Sequence, residues 1–465
     1  MRLKLGNVQC KVVEATDRER RWLFEYLSFA DDEGNPVAHL RGAPKMFNDL
    51  AGTFATGFLP LVRAAAREAG HKVEMAEDGR RRAPDPVDAD LSWLREDQAE
   101  AVRVGLRARR GIFWWPTASG KTEIAVGLAR RVPGRWLHLV PQVSLINQTA
   151  ERFELRTGEP AGRIGDSEWR EERFTVAMFQ TLARKLKDGD ARALALLAGA
   201  EGLGVDECHT MPANSFWRVV MRCGAYYRFG YSGTPLDRTD QRSVLAIGAL
   251  GPIIHRAHAE GLIRQGTIAR PVIRLVEVAH EVEPGQTWAE VYEQCVISSA
   301  HRNALVLQVA MRAARPCLLF VRSIAHGRAL EVLLGRRMQV AFVWGNASTD
   351  QREEAVKHLV RGEVDVLITS AVFEAGVDIP SVRSVVVASG GKSTIAALQR
   401  VGRGLRVTAD KTEVEVWDFA DEGHRWLQRH TAARKRAYRR EGYAVSLVSW
   451  PALVAEDAAQ GKLPL

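Results

Sequence analysis

From residue 91 onward, short apolar runs rich in β-branched and aromatic residues recur between helical stretches. The first set is Gly111–Trp115, Trp136–Val140, Phe174–Met178, Gly202–Val205 and Arg228–Tyr231. The second is Cys317–Val321, Val340–Val343, Val364–Thr369, Ser384–Ala388 and Glu413–Phe419. Glu123–Arg131, Val143–Arg156, Ala325–Leu334 and Thr349–Val360 carry helical patterns between them. Strands this apolar leave no face for water, and parallel neighbours need a crossover that a helix supplies. The alternation predicts an α/β fold with two consecutive parallel-sheet domains and a boundary within 255–290.

The first 90 residues read differently. Val8–Val13 predicts a strand. Arg18–Phe29 predicts a helix with Trp22, Leu23, Tyr26 and Leu27 on one face. Phe58–Ala69 predicts a second helix, stopped by Gly70, and Lys72–Met75 a strand after it. The charged, proline-bearing stretch 78–90 reads as a linker. A small α+β domain over 1–90 is therefore expected.

Composition narrows the class. The chain has 465 residues, 46% hydrophobic and 26% charged, values of a soluble globular protein. No apolar run reaches the roughly 18 residues of a membrane span, and Met1–Leu5 lacks the apolar core of a signal peptide. Five cysteines without CxxC pairs argue against zinc or a disulfide framework and for a reducing, cytoplasmic setting. The net charge is +9. Residues 1–90 hold 14 Lys/Arg against 15 Asp/Glu, so an excess of +10 lies in the rest and makes a polyanion partner plausible.

Chemistry enters at Pro116-Thr117-Ala118-Ser119-Gly120-Lys121-Thr122, which follows an apolar run and opens a helix. Such a loop aims backbone amides and a helix N-terminus at phosphates. Lys121 suits the β/γ-phosphates and Thr122 a Mg²⁺ ion. Trp115 stands where the first glycine of the usual pattern falls. At the end of a second run, Val205-Asp206-Glu207-Cys208-His209 places two carboxylates. Asp206 suits Mg²⁺ and Glu207 an attacking water. Cys208 and His209 have no second Cys/His pair, so a zinc site is not expected. Trp114, Trp115, Tyr226, Tyr227 and Phe229 read as core. Seven basic residues in 425–441 read equally as a phosphate-binding helix or a solvated face.

Asp206-Glu207-Cys208-His209 resembles the DExH box of superfamily 2 helicases, and the phosphate loop resembles that superfamily's Walker A motif, with Ala118 where glycine is usual. Further segments follow in the family's order. Leu94-Arg95-Glu96-Asp97-Gln98 resembles the adenine-contacting segment. Leu139-Val140-Pro141 and Phe179-Gln180-Thr181 resemble strand ends that touch the nucleic-acid backbone. Ser232-Gly233-Thr234-Pro235 resembles motif III, Phe320-Val321-Arg322-Ser323 motif IV, Thr369 through Pro380 motif V, and Gln399-Arg400-Val401-Gly402-Arg403-Gly404-Leu405-Arg406 motif VI. The resemblance covers about 91–420.

The resemblance implies two tandem RecA-like domains that bind ATP and Mg²⁺. It assigns catalysis to Lys121, Asp206, Glu207, Gln399, Arg403 and Arg406. Nucleotide binding goes to Arg95, Gln98, Thr117, Ser119, Gly120, Lys121, Thr122, Gly376 and Asp378, and metal binding to Thr122 and Asp206. Coupling falls to His209, Ser232 and Thr234. Nucleic-acid contacts fall to Pro141, Gln142, Gln180, Thr181, Ser323, Trp344, Gly345 and Thr369. The leading domain and the tail around Asp418-Phe419, Arg434–Tyr438 and Glu441–Tyr443 are similar to the UvsW-type helicases of tailed phages. That second likeness implies a 3′→5′ DNA motor acting on forks, Holliday junctions, D-loops or R-loops.

The expected layout is an accessory domain over 1–90, RecA-like domains over 91–268 and 269–450, and a tail over 451–465. The expected partner is DNA, with RNA possible, no membrane, and a monomeric motor in the cytoplasm, the bacterial host's if the chain is viral. An RNA helicase, the motor subunit of a restriction or defence complex, and a DNA-binding adaptor with weak ATPase are the alternatives.

Overall fold

A computed structural model describes residues 1–28, 46–210, 214–234, 244–345, 347–370, 379, 381–402, 404–408 and 410–451. The chain divides into two compact units. One is built from Met1–Trp115 with Gly120–Arg256, the other from Ala257–Leu465 with Pro116–Ser119.

The first unit holds two sheets. Five short strands, β1 (Arg2–Leu5), β2 (Gln9–Glu14), β3 (Phe47–Asn48), β4 (Thr53–Ala55) and β5 (Glu74–Asp78), form the leading sheet in the order β3-β4-β2-β1-β5. Helices Asp17–Tyr26 and Leu59–Glu68 accompany it. The predicted strand Lys72–Met75 lies two to three residues later in fact, as β5, where it pairs parallel with β1. Phe29, the last residue of the predicted first helix, lies outside the described residues.

The larger sheet comprises β6 (Arg110–Trp114), β7 (Trp136–Val140), β8 (Ala161–Gly165), β9 (Glu168–Arg170), β10 (Phe174–Met178), β11 (Gly202–Asp206), β12 (Tyr227–Ser232) and β13 (Ile253–Arg256). Its order is β13-β6-β12-β11-β7-β10-β8-β9, parallel except for the β8–β9 hairpin at one edge. Trp115, Tyr226, Tyr227 and Phe229 are core, as their sequence context predicts. On β11, Gly202, Gly204 and Asp206 share one face. Trp136 lies across Gly202 and His138 across Gly204, so a Cβ at either glycine would strike a ring. Trp136 stacks on Phe229, and His138 on Phe174. Burial lowers the His138 imidazole to about 4, so it stays neutral.

The leading sheet is packed onto this unit through an apolar seam. Phe58 lies against Gly248 of helix Val244–Leu250, and a Cβ on Gly57 would run into the Ile247 carbonyl. Asn7, nearly buried, donates through Nδ2 to the Gly224 carbonyl (2.6 Å) and the Arg81 carbonyl (2.9 Å). Arg110 on β6 donates back to the Asn7 carbonyl (2.6 Å). One apolar cluster runs from Leu3 and Leu5 to Leu203 and Val205.

The second unit is a single sheet of β14 (Arg270–Val278), β15 (Cys317–Phe320), β16 (Val340–Val343), β17 (Val366–Thr369), β18 (Ser384–Val387), β19 (Glu413–Asp421) and β20 (Ala444–Val448). Its order is β16-β17-β15-β18-β19-β14-β20, parallel throughout. The sequence pattern sets a boundary within 255–290 and a second domain from 269 but shows no strand before Cys317, whereas β14 occupies 270–278 and pairs on both sides. Pro271 and two arginines mask its apolar alternation, and Arg274 lays its guanidinium over the Trp417 ring (4.9 Å).

Two buried ion pairs knit the end of β19. Arg434 from helix Arg425–Arg440 binds Asp418 (2.8 Å), and Arg302 from helix Ala300–Arg312 binds Asp421 (2.7 Å). Arg434 is therefore a core residue, which corrects its inclusion among seven candidate phosphate-binding side chains. Among the described residues no helix is long and apolar enough to cross a membrane, and all five cysteines are buried and free.

Arg434→Ala is expected to cost about 3–5 kcal/mol, because it strands a buried carboxylate; denaturant titration that leaves the midpoint unmoved contradicts the pairing. Removing residues 1–78 uncovers the Phe58 seam. The truncated chain should aggregate or lose several degrees of thermal midpoint, and an unshifted melt would show that the seam contributes nothing.

Candidate functional site

Every parallel strand of the larger sheet ends on the same edge, and the candidate residues of the first unit gather there. β6 leads through Trp115, whose amide donates to the Ser232 carbonyl (3.0 Å), into the loop 116–120. Ser119 Oγ donates to the Pro116 carbonyl (2.6 Å), which closes the loop on itself. Ala118 and Gly120 both have positive φ, 64° and 94°. Glycine takes this conformation freely; the alanine methyl at 118 costs about 1–2 kcal/mol. The helix Lys121–Arg131 follows, and its first-turn amides, including that of Thr122, face out of the helix end where an anion is stabilised.

The upstream segment meets this loop directly. Gln98 is buried, its Oε1 accepts from the Arg95 amide (3.1 Å), and its Nε2 sits where a Cβ on Gly120 would lie. Arg95 pairs with Asp97 (2.9 Å). Thr117 lies in the same loop, one residue before the strained alanine.

Asp206 is the last residue of β11. Its Oδ1 accepts from the Glu207 amide (2.9 Å). Loss of water and the adjacent Glu207 carboxylate raise its carboxyl above the usual range, against the pull of Lys121. A carboxylate in that position favours a cation nearby. Glu207 itself has φ 45°, a left-handed backbone that re-aims its side chain. Its Oε1 lies 3.9 Å from Lys121 Nζ, and its Oε2 lies 3.1 Å from His209 Nδ1. That same nitrogen is 2.9 Å from Ser232 Oγ, which accepts from the Thr234 amide (3.1 Å). A carboxylate only accepts, so the Nδ1–H tautomer is the one that bonds Glu207. His209, Ser232 and Thr234 thus form one continuous link from Glu207 to the end of β12.

A Mg²⁺–nucleotide asks for one or two protein oxygens plus phosphate oxygens. Asp206 and the Thr122 hydroxyl fit that donor set. Among the described residues no group of three or more His, Cys, Asp or Glu gathers as a separate metal site.

Along the same edge, Pro141 and Gln142 follow β7, the neighbour of β11, and Gln180 and Thr181 follow β10, one strand further. Gln180 Nε2 donates to the Pro141 carbonyl (2.9 Å), so the two strand ends act as one surface. In the second unit, Ser323 caps helix Ile324–Gly335 by accepting from the His326 amide. Trp344 lies on Phe342 (5.0 Å) with the Arg328 guanidinium 4.2 Å above its ring, and Gly345 beside it is exposed. Thr369 is fully buried and donates to the Ser370 carbonyl (3.1 Å). Gln399 lies on helix Thr394–Gly402, and Arg406 is exposed beyond it. Arg403, Gly376 and Asp378 lie outside the described residues, as do Pro235 and most of 369–380. Sequence reasoning gave Arg400 no role. It is buried, bonded to Ser389 Oγ (2.6 Å), and lies over the Phe320 ring.

Gly120→Ala is expected to remove nucleotide binding and cost about 1–3 kcal/mol, since it both strains the backbone and strikes Gln98. Calorimetric nucleotide titration checks this; retained affinity would mean that the loop has another conformation.

Residues 92–237 match the family model of the res subunit of type III restriction enzymes, and residues 301–408 match that of the helicase conserved C-terminal domain. The ATP-dependent DNA helicase uvsW of Enterobacteria phage T4 is 25% identical over 350 residues, 70% of this chain and 68% of that protein. The DNA 3′-5′ translocase XPB2 of Sulfurisphaera tokodaii is 26% identical over 377 residues, 72% of this chain and 83% of that protein. A fragment of a putative HsdR subunit of a type I restriction enzyme from Vibrio vulnificus shares the fold, with a TM-score of 0.57 at 20% identity over 78% of this chain and 70% of that one. The two matched segments fall on the two parallel sheets, in the order the motifs run, and the chain accordingly belongs to the superfamily 2 DExH-box helicases.

Proposed function

We propose that this chain is an ATP-dependent DNA translocase that unwinds or branch-migrates forks, Holliday junctions, D-loops or R-loops with 3′→5′ polarity. The observation that carries the reading is the shared sheet edge: Lys121, Asp206, Glu207 and the His209–Ser232 link lie beside the Pro141–Gln180 pair. A hydrolytic centre and a strand-end surface on one rigid sheet are what a motor needs to couple the two. The relatives named as a DNA helicase and a DNA 3′-5′ translocase support DNA and the polarity.

Lys121, within reach of Glu207, gives up that contact to the β/γ-phosphates. Gly120, Ser119 and Thr117 shape the amide cradle, and Arg95 and Gln98 hold the base. Mg²⁺, held by Asp206 and Thr122, supplies neutralising charge to the phosphate oxygens. Glu207 orients a water and takes its proton. When Glu207 shifts, the His209–Ser232–Thr234 link carries the change along β12. Gln399, Arg403 and Arg406 are assigned to the γ-phosphate, where added positive charge stabilises the transition state. Gly376 and Asp378 are assigned to the nucleotide. Pro141, Gln142, Gln180, Thr181, Ser323, Trp344, Gly345 and Thr369 are assigned to the nucleic-acid strand, positioned through phosphate and sugar without base readout.

Lys121→Ala should lower DNA-stimulated ATP hydrolysis by at least about a hundredfold. Its thermal midpoint should stay near that of the parent chain. Assayed across single-stranded, duplex, forked and four-way DNA and matched RNA, the parent chain should respond most to forked or four-way DNA. Turnover retained in the variant would remove the phosphate-loop role, and equal or greater stimulation by RNA would overturn the DNA assignment.

A further inference from the structure

The seven basic residues of 425–441 are not one face. Arg434 is a buried strut that also donates to the Gly391 carbonyl (2.6 Å) and the Phe419 carbonyl (2.8 Å). Arg425 and Arg429 are exposed, in the opening turns of helix Arg425–Arg440. That is the positive pole of the helix, and its first turn holds no acid to offset them. Like charge at that end lowers stability, and a bound anion would offset it.

Two more exposed cations stand close by: Arg322, two residues beyond β15, and Lys392, beyond β18. Arg322 lies over the Tyr292 ring (5.7 Å). Among the described residues none of Arg322, Lys392, Arg425 and Arg429 has a carboxylate within 4.0 Å. Arg322, Lys392 and Arg429 act on His430, and Arg425 lies over the Trp426 ring (5.1 Å). Burial first, then Arg434, Lys392, Arg429 and Arg322, lower the His430 ring to about 4, so it is neutral at pH 7. His430 Nδ1 is buried and has no hydrogen-bond partner.

Aromatic rings border the same cations. Trp426 and Trp288, both half-buried, meet edge to face at 6.3 Å. His424 lies 4.9 Å from Trp426, and Trp288 lies 4.4 Å from His430. A half-buried tryptophan among unpaired cations is the composition of a surface that holds single-stranded nucleic acid.

We propose that Arg322, Lys392, Arg425 and Arg429 hold successive phosphates of one nucleic-acid strand, with a base stacked on Trp426. This site rests on the reading of the chain as a nucleic-acid motor. Four cations on three separate elements of one sheet edge suit a repeating polyanion better than a single small anion, which needs fewer. The contacts are to backbone and ring faces, so the site reads no sequence.

The test uses the full chain, a fluorescent oligothymidylate and a fluorescent fork, with affinity followed across a salt series. Arg425→Ala/Arg429→Ala should weaken binding about tenfold and reduce the slope of log affinity against log salt by about 2. Trp426→Ala should weaken the single strand about tenfold and leave the slope intact. Arg336→Ala/Arg337→Ala, an exposed basic pair at the opposite edge of the sheet, should change neither. If the Arg425/Arg429 variant keeps parental affinity and slope while the parent binds and hydrolyses, the patch is wrong and the motor reading stands; an acidic protein partner would give that result. A parent chain that binds neither probe overturns both.

Discussion

Parallel strands sealed by helices on both faces can show polar side chains only where they end. Along β6, β7, β10, β11 and β12 the strand interiors are mostly aromatic, aliphatic or glycine, with His138, Thr175 and Arg228 fully enclosed among them, and the functional groups sit on or just after the last residue. Because the strands run together, those ends fall on one edge. Residues as distant in sequence as Lys121, Gln180, Asp206 and Ser232 therefore become neighbours without any local signal. The register does the spacing: Asp206 sits opposite Tyr231, so the carboxylate and Ser232 differ by one residue of rise.

The second unit spends buried charge differently. Asp418 and Asp421 close β19, and each takes an arginine from a separate helix. Asp421 also receives His280 (3.0 Å). Burial opposes ionisation of Asp421, but Arg302 outweighs it and, with the His280 bond, holds the carboxyl down at about 2. Its folded value lies below the unfolded one, so its stabilisation is present above roughly pH 4 and fades as pH falls toward 2. The arginines also grip backbone. Arg302 donates to the Ala388 carbonyl (2.9 Å), Arg434 to that of Gly391, and Tyr292 to that of Ser389 (2.6 Å), while Arg400 takes the Ser389 hydroxyl. One short turn, 388–391, thereby receives four side chains just before the helix that carries Gln399.

Much of this was legible beforehand, and the reasons are specific. Strands such as Trp136–Val140 and Phe174–Met178 are read to the residue because both faces are buried and only one polar side chain, His138 or Thr175, breaks each apolar run. The phosphate loop and the DECH segment are read because their chemistry needs particular side chains at fixed spacing. What stayed hidden depends on distant partners. β14 looks mixed until Trp417 covers Arg274. Arg434 looks like one more surface cation until Asp418 is placed beneath it. The contact between Gln98 and Gly120, and the Phe58–Gly248 seam, join residues that no local pattern connects.

The glycines at 202 and 204 carry a consequence of their own. Trp136 and His138 lie across them like slabs, and the strand passes beneath with no room for a methyl group. Asp206 is the next residue on that same face, so its height above the sheet is set by how closely β11 lies under the rings. A side chain added at 204 would lift the strand and carry the carboxylate with it, although nothing near the nucleotide had changed. Substitutions that silence such a motor need not touch its chemistry. Tolerance to mutation here should follow a line down one strand and fall where the chain has least side chain to lose.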